Sequence, residues 1–229
     1  MTTVQSNVQP NVQWNPATTA GEIVLFGAWP QTATGADRTP IRWRVLQNAG
    51  DTLFLLSEYI LDCKRYHGAY TDITWQDCDL RQWLNREFYS AAFTAAERER
   101  IQTAHCTDNG AGSPDTQDKV FLLSAAEVQD LTGKGDGDPL RVRRRTIGTE
   151  YAKVKKSDGC HLYVYDKQVQ ADYITEGGQE FGCSWWWLRT RGSTPSRAYF
   201  VGARNSIRSY ARIDLARDGV RPAIKINLL

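Results

Sequence analysis

The chain has 229 residues, enough to bury one large core, and 41% of them are hydrophobic, as in an ordinary globular protein; eight Trp and ten Tyr make it rich in aromatics. Lys and Arg number 28 against 26 Asp and Glu, and the resulting net charge of +2 makes no global case for a nucleic-acid or membrane-surface partner. No apolar run approaches the length of a membrane span, and the polar N-terminus lacks the basic and apolar regions of a signal peptide, so the expected location is cytoplasmic or virion-associated.

Five cysteines (Cys63, Cys78, Cys106, Cys160 and Cys183) are scattered, odd in number and never spaced CxxC, so reduced thiols are expected rather than a disulfide framework. Three histidines leave few partners for a metal. Cys160 and His161 are adjacent but lack a second ligand pair at finger spacing, and neither a metal site nor a cofactor is expected.

In chain order, residues 1–20 read as a flexible lead rich in Gln, Asn, Thr and Val, followed by one domain over 21–229. Gly21 to Gly27 is a short strand. Ile41 to Leu46 alternates strictly, Asp51 to Ser57 is more continuously apolar, and Asn48-Ala49-Gly50 between them predicts a hairpin. Thr74 to Asn85 places Leu80, Trp83 and Leu84 on one helical stripe, with Thr74 as cap. Thr94-Ala95-Ala96-Glu97 has capping-box spacing and starts a short helix that carries Ile101, and Ser124 with Glu127 repeats that spacing.

His105 to Gln117 reads as a polar loop, Asp118 to Leu123 as a strand, and Leu131 to Pro139 as a surface loop. Gly133-Lys134-Gly135 lacks the pattern of a phosphate-binding loop. The basic run Arg141 to Arg145 reads as a solvated face, against the alternative of a nucleic-acid contact. No serine sits in a nucleophile elbow, and no cysteine is set with a histidine in a recognisable nucleophile motif, so no catalytic constellation emerges.

The C-terminal stretch from Ser184 is organised differently. Trp185-Trp186-Trp187 reads as a core run with a ring on each side of a strand, rather than as a sugar-stacking platform. Arg221 reads as a buried structural arginine held by a carboxylate or by carbonyls. From Ile207 to Leu215 the residues alternate. Ile207, Ser209, Ala211, Ile213 and Leu215 share one parity, and Arg208, Tyr210, Arg212 and Asp214 the other, so a strand here projects the second set outward together. Arg and Tyr on one exposed face are residues that interfaces favour. Between Leu188 and Ile224 there is no Lys, Gln, Glu, Met or Trp, types used freely elsewhere in the chain. These are types that NNY codons do not encode, so the gap is the residue usage expected of a segment rewritten at the adenines of AAY codons.

The ordered blocks Val24-Leu25-Phe26-Gly27, Ile41 to Leu46, Leu80 to Asn85, Asp118 to Ser124, Trp186-Trp187-Leu188-Arg189 and Gly219-Val220-Arg221-Pro222-Ala223 resemble a widespread family of uncharacterised microbial and viral domains, over about residues 22 to 228. Some members are variable proteins of diversity-generating retroelements, in which a reverse transcriptase rewrites a C-terminal segment at adenines. The resemblance implies an α+β, C-type-lectin-like fold akin to formylglycine-generating enzymes, with short helices packed around small antiparallel sheets.

It further implies a non-enzymatic binding protein whose variable segment lies near residues 188–217 and meets a protein or other surface ligand. The implied contacts are Arg191, Ser193, Thr194, Ser196, Arg197 and Tyr199, then Arg204, Asn205 and Ser206, and the outward set Arg208, Tyr210, Arg212 and Asp214. The copper-binding cysteine pair of the enzyme relatives has no evident counterpart, since Cys183 stands alone near the C-terminal block. The alternatives are a metal- or Cys-dependent enzyme of that type, or a structural virion component.

Overall fold

In a computed structural model that describes residues 17–134, 142–165 and 173–228, the hairpin expected around Gly50 is formed. Strand β1 (Ile23–Trp29), β2 (Thr39–Asn48) and β3 (Thr52–Ser57) pair antiparallel in sequence, and the Asn48 side chain accepts the Gly50 N–H at 2.8 Å in the turn. Gly50 has φ +92°, a left-handed conformation that glycine adopts without a Cβ penalty. The last strand of the chain, β13 (Ala223–Asn227), returns to pair with β3, which gives a four-stranded sheet in the order β1-β2-β3-β13.

Residues 17–20 are not loose, as expected of a lead ending at 20. Thr18 is buried, and the Asn48 amide donates to its carbonyl at 2.7 Å. The remainder of that lead (residues 1–16), the expected loop over 135–139, and residue 141 of the basic run lie outside the described residues.

The helical region is shorter than its stripe. Thr74 does not cap it; its hydroxyl donates to Asp77 at 2.8 Å within a turn. Helix α1 (Asp79–Trp83) starts later, with the Cys78 thiol accepting the Arg81 N–H, and it runs through a π-helical turn (Leu84–Phe88) into α2 (Tyr89–Ala92). Both capping boxes are present, at α3 (Ala95–Arg100) and at α4 (Ala125–Leu131); Ile101 ends α3 and is buried.

Two strand assignments change between them. The expected polar loop contains a small hairpin of β5 (Ala104–Cys106) and β6 (Thr116–Asp118), and the expected strand from Asp118 to Leu123 has no ladder beyond Asp118. Side chains supply what a neighbouring strand would have. Asn85 accepts the N–H groups of Lys119 and Val120 and donates to the Val120 carbonyl, and Phe121 exchanges two backbone bonds with Ala223.

The chain continues through α5 (Glu150–Lys153) and a hairpin of β7 (Tyr173–Glu176) and β8 (Gln179–Gly182). The second main sheet then forms from β4 (Asp62–Cys63), β9 (Trp186–Arg191), β10 (Arg197–Val201), β11 (Ile207–Arg212) and β12 (Gly219–Val220), in the order β11-β10-β9-β12-β4. The fold is therefore mixed α+β, with short helices around small, mostly antiparallel sheets. No helix among the described residues is long and apolar enough to cross a membrane.

Strand β9 is the buried axis of this sheet. Trp186, Trp187 and Leu188 are wholly buried, and both indole N–H groups find acceptors, Trp186 at the Arg144 carbonyl (3.2 Å) and Trp187 at the Lys64 carbonyl (2.8 Å). Close packing beside it requires Gly219, where a Cβ would meet Ile60 at 2.3 Å. Of the tryptophan run, Trp185 departs from the expected core placement, being only half-buried.

Buried guanidinium groups tie the irregular segments to this axis. Arg189, 1% exposed, donates to the carbonyls of Leu122 (2.8 Å) and Thr107 (2.7 Å), to Asn109 Oδ1 (2.9 Å), and to the capping-box Glu127. Arg221 is held as expected, by carbonyls: those of Ser57, Glu58, Arg143 and Arg144. The basic run is not a uniformly solvated face, because Arg144 is buried and donates to the carbonyls of Val128 and Thr132.

Removing a buried charge's partner strands the groups it satisfied, whereas exposed pairs contribute little. Arg189→Met is expected to cost about 3–5 kcal/mol in a urea unfolding experiment. Arg212→Ala, which breaks an exposed pair with Asp214, should cost within about 1 kcal/mol.

Candidate ligand-binding face

The alternation of residues 207–215 is realised by β11, which lies at the edge of the second sheet. Inward, Ala211 and Ile213 are buried and Ile207 is half-buried against the core; outward, Arg208, Tyr210 and Arg212 are exposed. The strand ends at Arg212, so Asp214 sits in the following turn. It remains joined to the face through a two-bond pair with Arg212 at 3.0 and 2.7 Å. That hydrogen bond lowers the Asp214 pKa, and the Arg212 guanidinium also lies 4.3 Å from the centroid of the Tyr70 ring. Arg212 is thereby fixed in place before any ligand arrives.

A groove of about 630 Å³ opens beside this strand. Six of the expected contact residues line it: Arg197, Arg204, Ser206, Arg208, Tyr210 and Arg212. Its apolar lining is a run of aromatic rings. Tyr165 meets Trp185 at 5.3 Å between centroids, Trp185 meets Phe200 at 5.9 Å, and Phe200 meets Tyr210 at 5.5 Å, all edge-on. A second, shallower hollow of about 470 Å³ lies across the same turn and shares Arg204, Ser206 and Arg208 with the first.

The other expected contacts are placed differently. Ser193 and Thr194 are exposed in the turn between β9 and β10, and Ser196 is half-buried there. Arg191 lies along the loop at residues 109–112 and donates to the Ala111 carbonyl at 2.9 Å. Tyr199 packs partly against the core. Asn205 has an internal job. At φ +67° it makes the turn between β10 and β11, its Oδ1 accepts the Arg145 N–H at 3.0 Å, and its amide donates to the Lys134 carbonyl. Its side chain therefore holds the turn and is not free for a ligand.

Sequence reasoning missed Tyr165, Trp185, Phe200 and Asp218, which also line the groove. Asp218 is the most unusual of them. It is 1% exposed, neither carboxylate oxygen has a hydrogen-bond partner among the described residues, and burial pushes its pKa up from the ordinary 3.8 to about 7. A buried unpartnered carboxyl is costly and tends to be kept at working sites. The only signal in the sequence was an acidic residue directly before the apolar block Gly219-Val220.

The fold also brings together two thiols that sequence spacing kept apart. Cys63 and Cys160 share a hydrogen bond, which lowers the Cys160 pKa to about 7 and raises that of Cys63. All five cysteines are buried. Among the described residues no three of His, Cys, Asp or Glu are grouped so as to hold a metal.

Asp218 gives the protein a definite pH response. Unfolded, its carboxyl ionises near 3.8; folded, near about 7. Between those values the folded state keeps a proton that the unfolded state releases, so stability falls as pH rises through that window. Asp218→Asn should remove this loss. The variant's advantage over the wild type in unfolding free energy is expected to be larger at pH 8 than at pH 4, by an amount on the order of 4 kcal/mol.

A search of curated proteins found no match to this chain, and neither did a search of solved structures. A family profile described as a domain of unknown function (DUF6273) matches residues 50–228, which takes in the second sheet, the groove and the returning strand β13. The chain belongs to that family.

Proposed function

We propose that the protein is a non-enzymatic ligand-binding module with a C-type-lectin-like architecture, and that residues 188–217 are a display segment diversified by a retroelement. The observation that carries this reading is the division of labour along β11. Arg208, Tyr210 and Arg212 face outward over a groove while Ala211 and Ile213 are buried behind them. Such a strand can change its outward residues with little effect on packing.

Two further features support it. The turn that carries Arg204, Ser206 and Arg208 is held by backbone bonds and by the Asn205 side chain. Aromatic and arginine side chains dominate the groove, and these are residues that give large contact area and directional bonds at recognition surfaces. The short helices around small antiparallel sheets fit the architecture that the sequence blocks imply.

One observation favours the second reading, an enzyme related to formylglycine-generating enzymes: the Cys63–Cys160 pair, with its lowered thiol pKa. Both side chains are wholly buried and neither lines the groove. The binding reading is therefore preferred.

Two experiments test it. Panning a random peptide display library against the full chain should enrich binders that fail against the Arg208→Ala, Tyr210→Ala double variant, although that variant melts like the wild type. Enriched peptides indifferent to the double substitution would contradict a binding face at β11. Sequencing around the gene should reveal a near-identical repeat of the segment that encodes residues 188–224, differing only opposite template adenines, beside a reverse-transcriptase gene. A neighbourhood without one would remove diversification and leave a fixed binding domain.

A further inference from the structure

The segment that carries the proposed binding face is strongly basic. Residues 191–217 hold six arginines (Arg191, Arg197, Arg204, Arg208, Arg212 and Arg217) and one acidic residue, Asp214, a net +5. The whole chain carries +2, so everything outside this segment sums to −3. Such a field attracts acidic partners and repels basic ones.

The arginines are not equivalent. Arg212 is neutralised by Asp214, and the Arg197 guanidinium donates to the Tyr210 carbonyl. Arg208 is exposed and has no hydrogen bond or ion pair among the described residues, so its five donors are unused. It stands where the two hollows meet and lines both. The only carboxyl in the main groove's lining, Asp218, is buried and half-protonated near neutral pH, so it opposes an incoming anion weakly.

Resting on the ligand-binding reading above, we propose that the face takes an acidic segment of a partner protein, with a carboxylate on Arg208 and a large aromatic or aliphatic side chain among Trp185, Phe200 and Tyr210. A small free anion would need neither the ring-lined floor nor the second hollow. Together the two hollows, about 630 and 470 Å³, accommodate consecutive side chains of an extended chain on either side of Arg208. A nucleic acid fits less well, because the protein beyond this segment carries net negative charge that would repel a long phosphate backbone.

The test is a calorimetric titration of the full chain with three probes. The first is a pentapeptide of tryptophan flanked on each side by two glutamates, the second is the same peptide with lysines in place of glutamates, and the third is a thymidine oligonucleotide. The acidic peptide is expected to bind at least about tenfold more tightly than the basic one, and the preference should shrink as salt rises. Arg208→Glu should abolish or reverse it, Arg208→Lys should keep part of it, and Tyr210→Ala should weaken binding of the acidic peptide. Equal or opposite charge preference, absence of binding by the acidic peptide, or tighter binding of the oligonucleotide would overturn the inference. The panning experiment separates that failure from failure of the broader reading: enriched neutral or basic peptides that still need Arg208 and Tyr210 would leave a binding face whose ligand is not acidic.

Discussion

The buried Arg189 guanidinium is the constraint on which the rest of the structure depends. It projects from β9, between two fully buried tryptophans on one side and the half-exposed end of the strand on the other, and it has no solvent to satisfy it. Its donors go instead to the carbonyls of Thr107 and Leu122, to Asn109, and to the Glu127 that also caps α4. One side chain thus fixes an irregular loop, a ladderless segment and a helix start against the central strand. Arg221 repeats the device on the other side, gathering four carbonyls from two distant stretches. Charged groups buried this way are costly unless they are hydrogen-bonded, and here all three nitrogens of each guanidinium donate.

That interior makes the exposed edge permissive. Strands β10 and β11 lean on the core through Ala198, Val201 and Ala211, all buried, while Phe200 is paired with Arg208 and packs beneath Tyr210 in the groove. The groove side carries the arginines and Tyr210; Arg197 reaches the Tyr210 carbonyl, and Arg212 is held by Asp214 and the Tyr70 ring. The energetic division is sharp, because removing a buried polar hub costs several kcal/mol whereas an exposed pair contributes about 1 kcal/mol or less. A binding surface can therefore vary without endangering the scaffold.

Local patterns in the sequence were reliable where local physics decides. The capping boxes at Thr94 and Ser124, the hairpin at Gly50, and the two-residue period of Ile207 to Arg212 all depend on residues within a few positions of one another. Distant partners decided the rest. Asp118 to Leu123 looks like a strand, yet Asn85, Arg189 and Ala223 satisfy its backbone from elsewhere. Arg144 looks solvated within a basic run, yet it is buried against the carbonyls of α4's last turn. At the face, Arg208, Tyr210 and Arg212 were legible from parity alone. Trp185 and Phe200 were not, since one of them belongs to a core-like run and the other reaches the groove side only through the register shift in β10. Nor was Asn205 legible as a turn-holder, because its role needs the left-handed backbone that only the fold reveals.

The central claim is that outward positions on β11 and its turn are free to change while the Trp-rich axis is not. The most direct measurement is to randomise positions 204, 206, 208, 210 and 212 together and record thermal melting for a few dozen purified variants. The account predicts cooperative melting near the wild-type temperature for most of them, whatever residues they carry, with binding specificity changing from variant to variant. A broad loss of cooperative melting, comparable to that of variants at Trp186 or Arg189, would contradict it.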